Sequence, residues 1–280
     1  MKVFTDVDSL QKEIAVHQNA GCSIGFVPTM GALHQGHVSL VNASRSQNDR
    51  TVVSIFVNPK QFNDLDDLNR YPRTPEKDRA MLAASGCDIL FMPGVKDVYP
   101  EDFELEYELG YLDQIMEGKH RKGHFRGVVT VVHRLFSIVK PNRAYFGEKD
   151  YQQLVIIRTM TRDLGLPVII VPCPIVREPD GLAMSSRNRL LTPEQRAHAP
   201  LIAKTLRAAL QRVNTMGADE LKEWVRLQID SDPFLKLEYF ELADAGNLMP
   251  VTELSRNRPL RACIAVWAGK IRLIDNLDFS

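Results

Sequence analysis

Short apolar runs punctuate the first two thirds of the chain: "SIGFVPT" (23–29), "TVVSIFV" (51–57), "CDILFMP" (87–93), "RAYFGE" (143–148) and "PVIIVPC" (167–173). Within them apolar residues mostly follow one another instead of alternating with polar ones, as in parallel strands buried on both faces. Between the runs, three- and four-residue apolar spacing predicts helices over 37–48, 75–85, 125–139 and 150–164. In the last of these Leu154, Ile157, Met160 and Leu164 share a face. Asp150 stands where an N-cap belongs, and Gly165 with Pro167 ends the run. Strands alternating with helices predict an α/β fold, a doubly wound parallel sheet of Rossmann-like form, over residues 1–175.

The texture changes after "VPCPIVREPDGLAMSSRNRLL". Helices are expected over 193–213, opened by the capping-box pattern "TPEQ", and over 218–230. "KLEYFELAD" and "RACIAVWAGKIRLIDNL" read as strands, the second a hairpin turning near Ala268-Gly269. Residues 176–280 are thus expected to form a smaller α+β lid domain, with the polar segment 176–188 as its hinge.

Composition narrows the function classes. The 280 residues carry 35 Lys plus Arg against 35 Asp plus Glu, a balance that argues against a dedicated binder of nucleic acid or anionic membrane. Cys22, Cys87, Cys173 and Cys263 form no CxxC pair and sit in or beside apolar runs, so they read as buried reduced thiols. The opening "MKVFTDVDSLQKEI" has no apolar signal core and no run approaches membrane-spanning length, so a cytoplasmic compartment is expected.

The candidate chemistry begins at "PTMGALHQGH" (28–37), where a strand hands over to a helix. Gly31 and Gly36 permit close backbone approach or an unusual φ, and a helix N-terminus favours an anion, phosphate above all. His34 and His37 lie one turn apart and can address the same anion. A zinc site would need a third ligand that the sequence does not supply nearby. In "GEKDYQQL" (147–154), Lys149 precedes a helix, Asp150 opens it and Gln153 follows one turn on. "AMSSRN" (183–188) offers two hydroxyls and Arg187, the donors of a closing phosphate clamp, although alone it also reads as a surface turn. Asn58 and Gln61 in "NPKQF" are neutral amides at the carboxyl end of a predicted strand. By pattern alone Asp78 is a helix-surface aspartate, and the basic run "RKGHFRG" is solvated surface.

Together these blocks resemble a known family. "PTMGALHQGH" is similar to the HxGH signature of class I nucleotidyltransferases in its pantoate–β-alanine ligase (pantothenate synthetase) form. "VSIFVNPKQF", "GHFRGVVTVV", "FGEKDYQQL" and "AMSSRN" match the same family in order, so the resemblance covers essentially the whole chain. Gln35 departs from it, standing where the family usually carries glutamate. The resemblance implies ATP-dependent condensation of pantoate with β-alanine through an enzyme-bound pantoyl adenylate, with magnesium, in a homodimer that binds neither nucleic acid nor membrane. It implies catalytic roles for His34, His37, Lys149 and Arg187. ATP contacts are implied for Pro28, Thr29, Met30, Gly31, Ala32, Leu33, Gln35 and Gly36 beside the two histidines. Gly147, Glu148 and Asp150 join Lys149 in that role, as do Val176, Met184, Ser185 and Ser186 with Arg187. Pantoate falls to Asn58, Gln61, Arg121, His124 and Gln153, β-alanine also to Gln61, and the metal to Asp78. No protein nucleophile stands out, which suits an adenylate. A related HxGH adenylyltransferase and a non-catalytic ATP-binding module remain the alternatives at this point.

Overall fold

The computed structural model describes residues 1–101, 103–251 and 259–279. Their contacts divide into two compact units, and the division passes through one helix. Met1–Glu148 and Ile156–Pro174 form the first unit, while Lys149–Val155 join the chain from Ile175 on in the second. A single cut at residue 175 would therefore assign Lys149 and Gln153 to the other unit.

The first unit contains β1 (Lys2–Phe4), α1 (Val7–Asn19), β2 (Ile24–Thr29), α2 (Gln35–Gln47), β3 (Arg50–Ile55), α3 (Leu65–Arg70), α4 (Pro75–Ala84) and β4 (Ile89–Phe91). It continues with α5 (Val95–Val98), α6 (Met116–His120), α7 (His124–Val139) and β5 (Arg143–Gly147), then the body of α8 (Tyr151–Asp163) and β6 (Ile169–Cys173). All six strands are parallel, in the order β1-β4-β3-β2-β5-β6. Both faces are covered, which explains the unbroken apolar runs. Val27, Val53 and Leu90 pack with Leu40 and Val41 of α2 and Leu82 of α4. Phe26 meets Phe136 of α7 edge to face at 6.4 Å. After β2 the chain winds one way to β3, and after β5 the other way to β6. The topological switch therefore lies between β2 and β5, and an open sheet has its ligand crevice outside the carboxyl ends of such strands. "PTMGALHQGH" leaves β2 there, and Gly147 and Glu148 leave β5 there.

In the second unit α9 (Pro193–His198), α10 (Leu201–Arg212) and α11 (Ala218–Asp230) precede the antiparallel sheet β7 (Leu235–Asp244), β8 (Leu260–Ala268), β9 (Ile271–Asp278). Ile202, Leu206, Leu221 and Val225 share a core with Leu260, Ala262, Ile264 and Val266, alternate residues of β8. The helix expected over 193–213 is two, because Pro200 has no N–H to continue the α9 ladder and serves as N-cap of α10. Leu164 lies past the end of α8 and is exposed, contrary to its place in the expected apolar face. Segment 176–184 is a hairpin, with Met184 N–H donating to Val176 (3.0 Å) and Glu178 N–H to Leu182 (2.8 Å) around left-handed Gly181.

The cysteines carry free thiols, with Cys87, Cys173 and Cys263 buried. Burial pushes the Cys87 thiol up to about 12 and the Cys173 thiol up to about 11, so neither supplies a thiolate at neutral pH.

Candidate functional site

The turn that follows β2 is unusual in its backbone. Gly31 (φ 83°) and Ala32 (φ 49°) are successive left-handed residues, and for a non-glycine that conformation costs about 1–2 kcal/mol. Asp78 of α4 holds the turn: Oδ2 accepts from Ala32 N–H at 2.9 Å and Oδ1 from Leu33 N–H at 2.8 Å. Thr74 donates to the same Oδ1 at 3.0 Å. Asp78 is therefore a buried positioning group, 2% exposed, and not the surface aspartate its local pattern suggests. Gly36, expected to permit close backbone approach or an unusual φ, is the second residue of α2 and is not among the left-handed glycines.

The two histidines are built into the helix start. His34 is the N-cap of α2, and its Nδ1 accepts from Gly36 N–H at 3.1 Å. His37 Nδ1 accepts from His34 N–H at 3.3 Å. A neutral imidazole has one acceptor and one donor nitrogen, so Nδ1 acceptance leaves the proton of each ring on Nε2. The rings lie 4.1 Å apart, tilted by 45°. Two N–H donors are thus pre-set at the positive end of a helix dipole, where they suit phosphate oxygens. Both residues are half-buried, and Gln35 beside them is exposed.

A second cluster surrounds the 3-10 turn Pro59–Gln61. Asn58 Oδ1 accepts from Tyr99 (3.0 Å) and from Lys60 N–H (3.2 Å); Nδ2 donates to Gly127 carbonyl (3.1 Å) and to Gln61 Oε1 (3.3 Å). Burial pushes the Tyr99 hydroxyl up, so it stays a donor. Both lone pairs and both N–H groups of Asn58 are then used inside the protein. Gln61 differs: its Oε1 is fixed by Asn58, and among the described residues its Nε2 donates to the weak acceptor Met30 Sδ, at 2.8 Å. His124, 5% exposed, likewise has both nitrogens engaged. Nδ1–H donates to Gln61 carbonyl at 2.8 Å, and Nε2 accepts from Arg121 Nη1 at 3.0 Å. The ring positions Gln61 and Arg121, and Arg121 also lies 3.7 Å from Glu117. Tyr99 and Gly127 belong to this cluster; Tyr99 had no signal in the sequence, and Gly127 entered only as part of the "GHFRGVVTVV" block. Their partners lie 41 and 69 residues away in the chain.

The second unit carries the remaining candidates. Lys149 sits in the 3-10 turn Glu148–Asp150 ahead of α8, its Nζ 3.9 Å from Asp150. Gln153 is half-buried in the first turn of α8. Ser185 caps the 3-10 turn Ser186–Leu190, with its hydroxyl accepting from Arg187 N–H at 3.2 Å. Val176 and Met184 pair across the base of the hairpin described above. Among the described residues no group of three His, Cys, Asp or Glu side chains gathers to hold a metal, and no helix is long and apolar enough to cross a membrane.

The family model described as pantoate-beta-alanine ligase matches residues 2–278. The chain belongs to the pantoate–β-alanine ligase family. A pantothenate synthetase of Porphyromonas gingivalis is 47% identical over 279 residues, covering 100% of this chain and 99% of that protein. One from Acetivibrio thermocellus is 45% identical, covering 99% of each. The crystal structure of pantothenate synthetase from Thermus thermophilus superposes with a TM-score of 0.92 at 42% identity, covering 100% of this chain and 99% of that one. A pantoate-beta-alanine ligase from Francisella tularensis, solved in complex with beta-gamma ATP and β-alanine, gives 0.82 at 37% identity, covering 100% of this chain and 98% of that one. This family member is a ligase, with the six-stranded parallel sheet and small antiparallel domain of those structures.

Proposed function

We propose that this ligase joins pantoate to β-alanine in two steps through a pantoyl adenylate. The pantoate carboxylate attacks the α-phosphorus of ATP and pyrophosphate leaves. The β-alanine amine then attacks the acyl carbon, forming the amide, and AMP leaves. The observation that carries this reading is the His34–His37 pair, whose Nε2–H donors are pre-set at the start of α2. Attack by an anion on a polyphosphate needs negative charge neutralised and reactants positioned, and fixed donors do this without reorganising. Lys149 and Arg187 supply cationic donors for the same purpose, and the backbone of 28–33 frames the nucleotide. Gln61 and Gln153 take the hydroxyls of pantoate. A neutral amide orients the acid without the stabilisation of its carboxylate that a tight lysine or arginine would bring. Gln61 also serves β-alanine. The homodimer and cytoplasmic location that the resemblance implies belong to the same proposal.

Magnesium enters this reading with the nucleotide phosphates. Asp78 does not fit as its direct ligand, because its two oxygens already accept three hydrogen bonds in a buried site. Asp78→Asn turns an N–H group toward a backbone donor, so the 31–33 turn should loosen and adenylation should slow by about tenfold or more. The magnesium concentration for half-maximal rate should not change. A large rise in that concentration would restore Asp78 as a ligand.

Isotope exchange between pyrophosphate and ATP tests the reaction itself. Exchange that requires pantoate but not β-alanine is expected. Pantoate-independent exchange, or none with both substrates present, would refute the adenylate.

A further inference from the structure

A buried polar cluster in the second unit is not accounted for by any proposed substrate contact. At its centre are Asp275 and Asn276 of β9, 4% and 2% exposed. Arg177, at the base of the 176–184 hairpin, grips both. Its guanidinium donates to Asp275 Oδ2 (2.6 Å) and Oδ1 (3.0 Å), to Asn276 carbonyl (3.2 Å) and to Gly181 carbonyl (3.1 Å). Arg261 of the neighbouring β8 donates to Asn276 Oδ1 at 3.2 Å, and its guanidinium lies 4.1 Å from the ring centre of Tyr151. Asn276 Nδ2 donates to the carbonyl of Lys149 at 2.9 Å.

Such a cluster is a poor way to gain stability, since apolar side chains of similar volume often do as well or better. Its effect is directional, because satisfied buried networks fix one arrangement of the chain. Lys149 stands ahead of the regular ladder of α8, in a 3-10 turn, and its long side chain needs a fixed starting point. We propose that Asn276 is a positioning residue for the adenylation step, fixing through the Lys149 carbonyl the backbone from which that ammonium is presented. The Asp275–Arg177 pair holds on the same strand the hairpin that leads into Ser185–Arg187. The proposal rests on the reading of Lys149 as a phosphate donor.

Asn276→Asp keeps the shape and the acceptor used by Arg261 but turns an oxygen toward the Lys149 carbonyl. Asn276→Leu removes the bonds to Arg261 and to the Lys149 carbonyl without adding charge. Each substitution, made alone and together with Lys149→Ala, should be assayed by pantoate-dependent pyrophosphate exchange and by thermal unfolding. Alone, each should lower kcat by about 10- to 100-fold while KM for ATP moves less than about threefold. In the Lys149→Ala background the further loss should be less than about twofold, because the residue acts through one already removed. Equal losses in both backgrounds would make the cluster merely structural and overturn the proposal, as would near-normal exchange in a folded Asn276 variant. If Lys149→Ala itself exchanged normally, the reading of Lys149 would fall and the positioning role with it. That result is distinguishable from a loss of coupling.

Discussion

Replacing His37 by asparagine should leave the protein folded and slow pantoate-dependent pyrophosphate exchange by about 10²-fold or more, the usual cost of deleting one pre-set donor. The choice of asparagine follows from the two jobs of the ring. Nδ1 accepts the His34 N–H at the start of α2, which leaves the ring proton on Nε2. Asparagine keeps a polar atom near the first position and has nothing at the second. Glutamine does the reverse: it reaches the Nε2 position with an N–H but abandons the cap. His37→Gln should therefore keep more rate and less stability, because it gives up the third-position side of the capping box while the His34 N-cap remains. His37→Ala mixes the two effects and is the less informative variant. Near-normal exchange in His37→Asn, measured beside its melting curve, would remove the residue from the chemistry.

A methyl group at Gly127 should damage the enzyme almost as much without touching a substrate. A Cβ built there lies 2.1 Å from Lys60 carbonyl oxygen and 2.6 Å from Gln61 N, both backbone atoms. The 3-10 turn must then move away from α7 by roughly 1 Å to reach ordinary contact. That shift breaks the bonds from Asn58 to Gly127 carbonyl and from His124 to Gln61 carbonyl, and it carries the Gln61 amide with it. Overpacking costs about 1–3 kcal/mol of stability. Misplacing a positioning group by this distance costs about 10²-fold in rate. Gly127→Ala is expected to raise KM for pantoate and lower kcat, with ATP affinity near normal by calorimetric titration. A KM for pantoate within about twofold of the parent, in a folded variant, would show that the turn is not set by this contact.

The two examples mark what can be read in a linear sequence here. Five of the six parallel strands declare themselves as apolar runs because helices cover both sheet faces, and the missing one, β1, is only three residues at the sheet edge. The candidate histidines, amides and basic residues are legible because each sits in a compact motif at a strand or helix end. What holds those residues is not. Asp78 meets Ala32 and Leu33 across 46 and 45 residues, and Asn276 reaches Lys149 across 127. Nothing local distinguishes them from a surface aspartate or an ordinary strand asparagine. The family resemblance also implies pantoate contacts for Asn58 and His124. Only the hydrogen-bond geometry shows that their capacity is spent on orienting Gln61 and Arg121.

For inhibitor chemistry, the amide cluster sets a clear order of preference. A polar substituent aimed at Asn58 finds no vacant valence, and it would have to break bonds to Tyr99 and to Gly127 before making its own. Gln61 is the better target. Its amide is already oriented by Asn58, so little conformational freedom is lost on binding, and among the described residues its N–H is held by the Met30 thioether. A carbonyl or sulfonyl oxygen delivered there exchanges a weak sulfur acceptor for a strong one. The same group moved by one atom toward Asn58 would be desolvated without recompense.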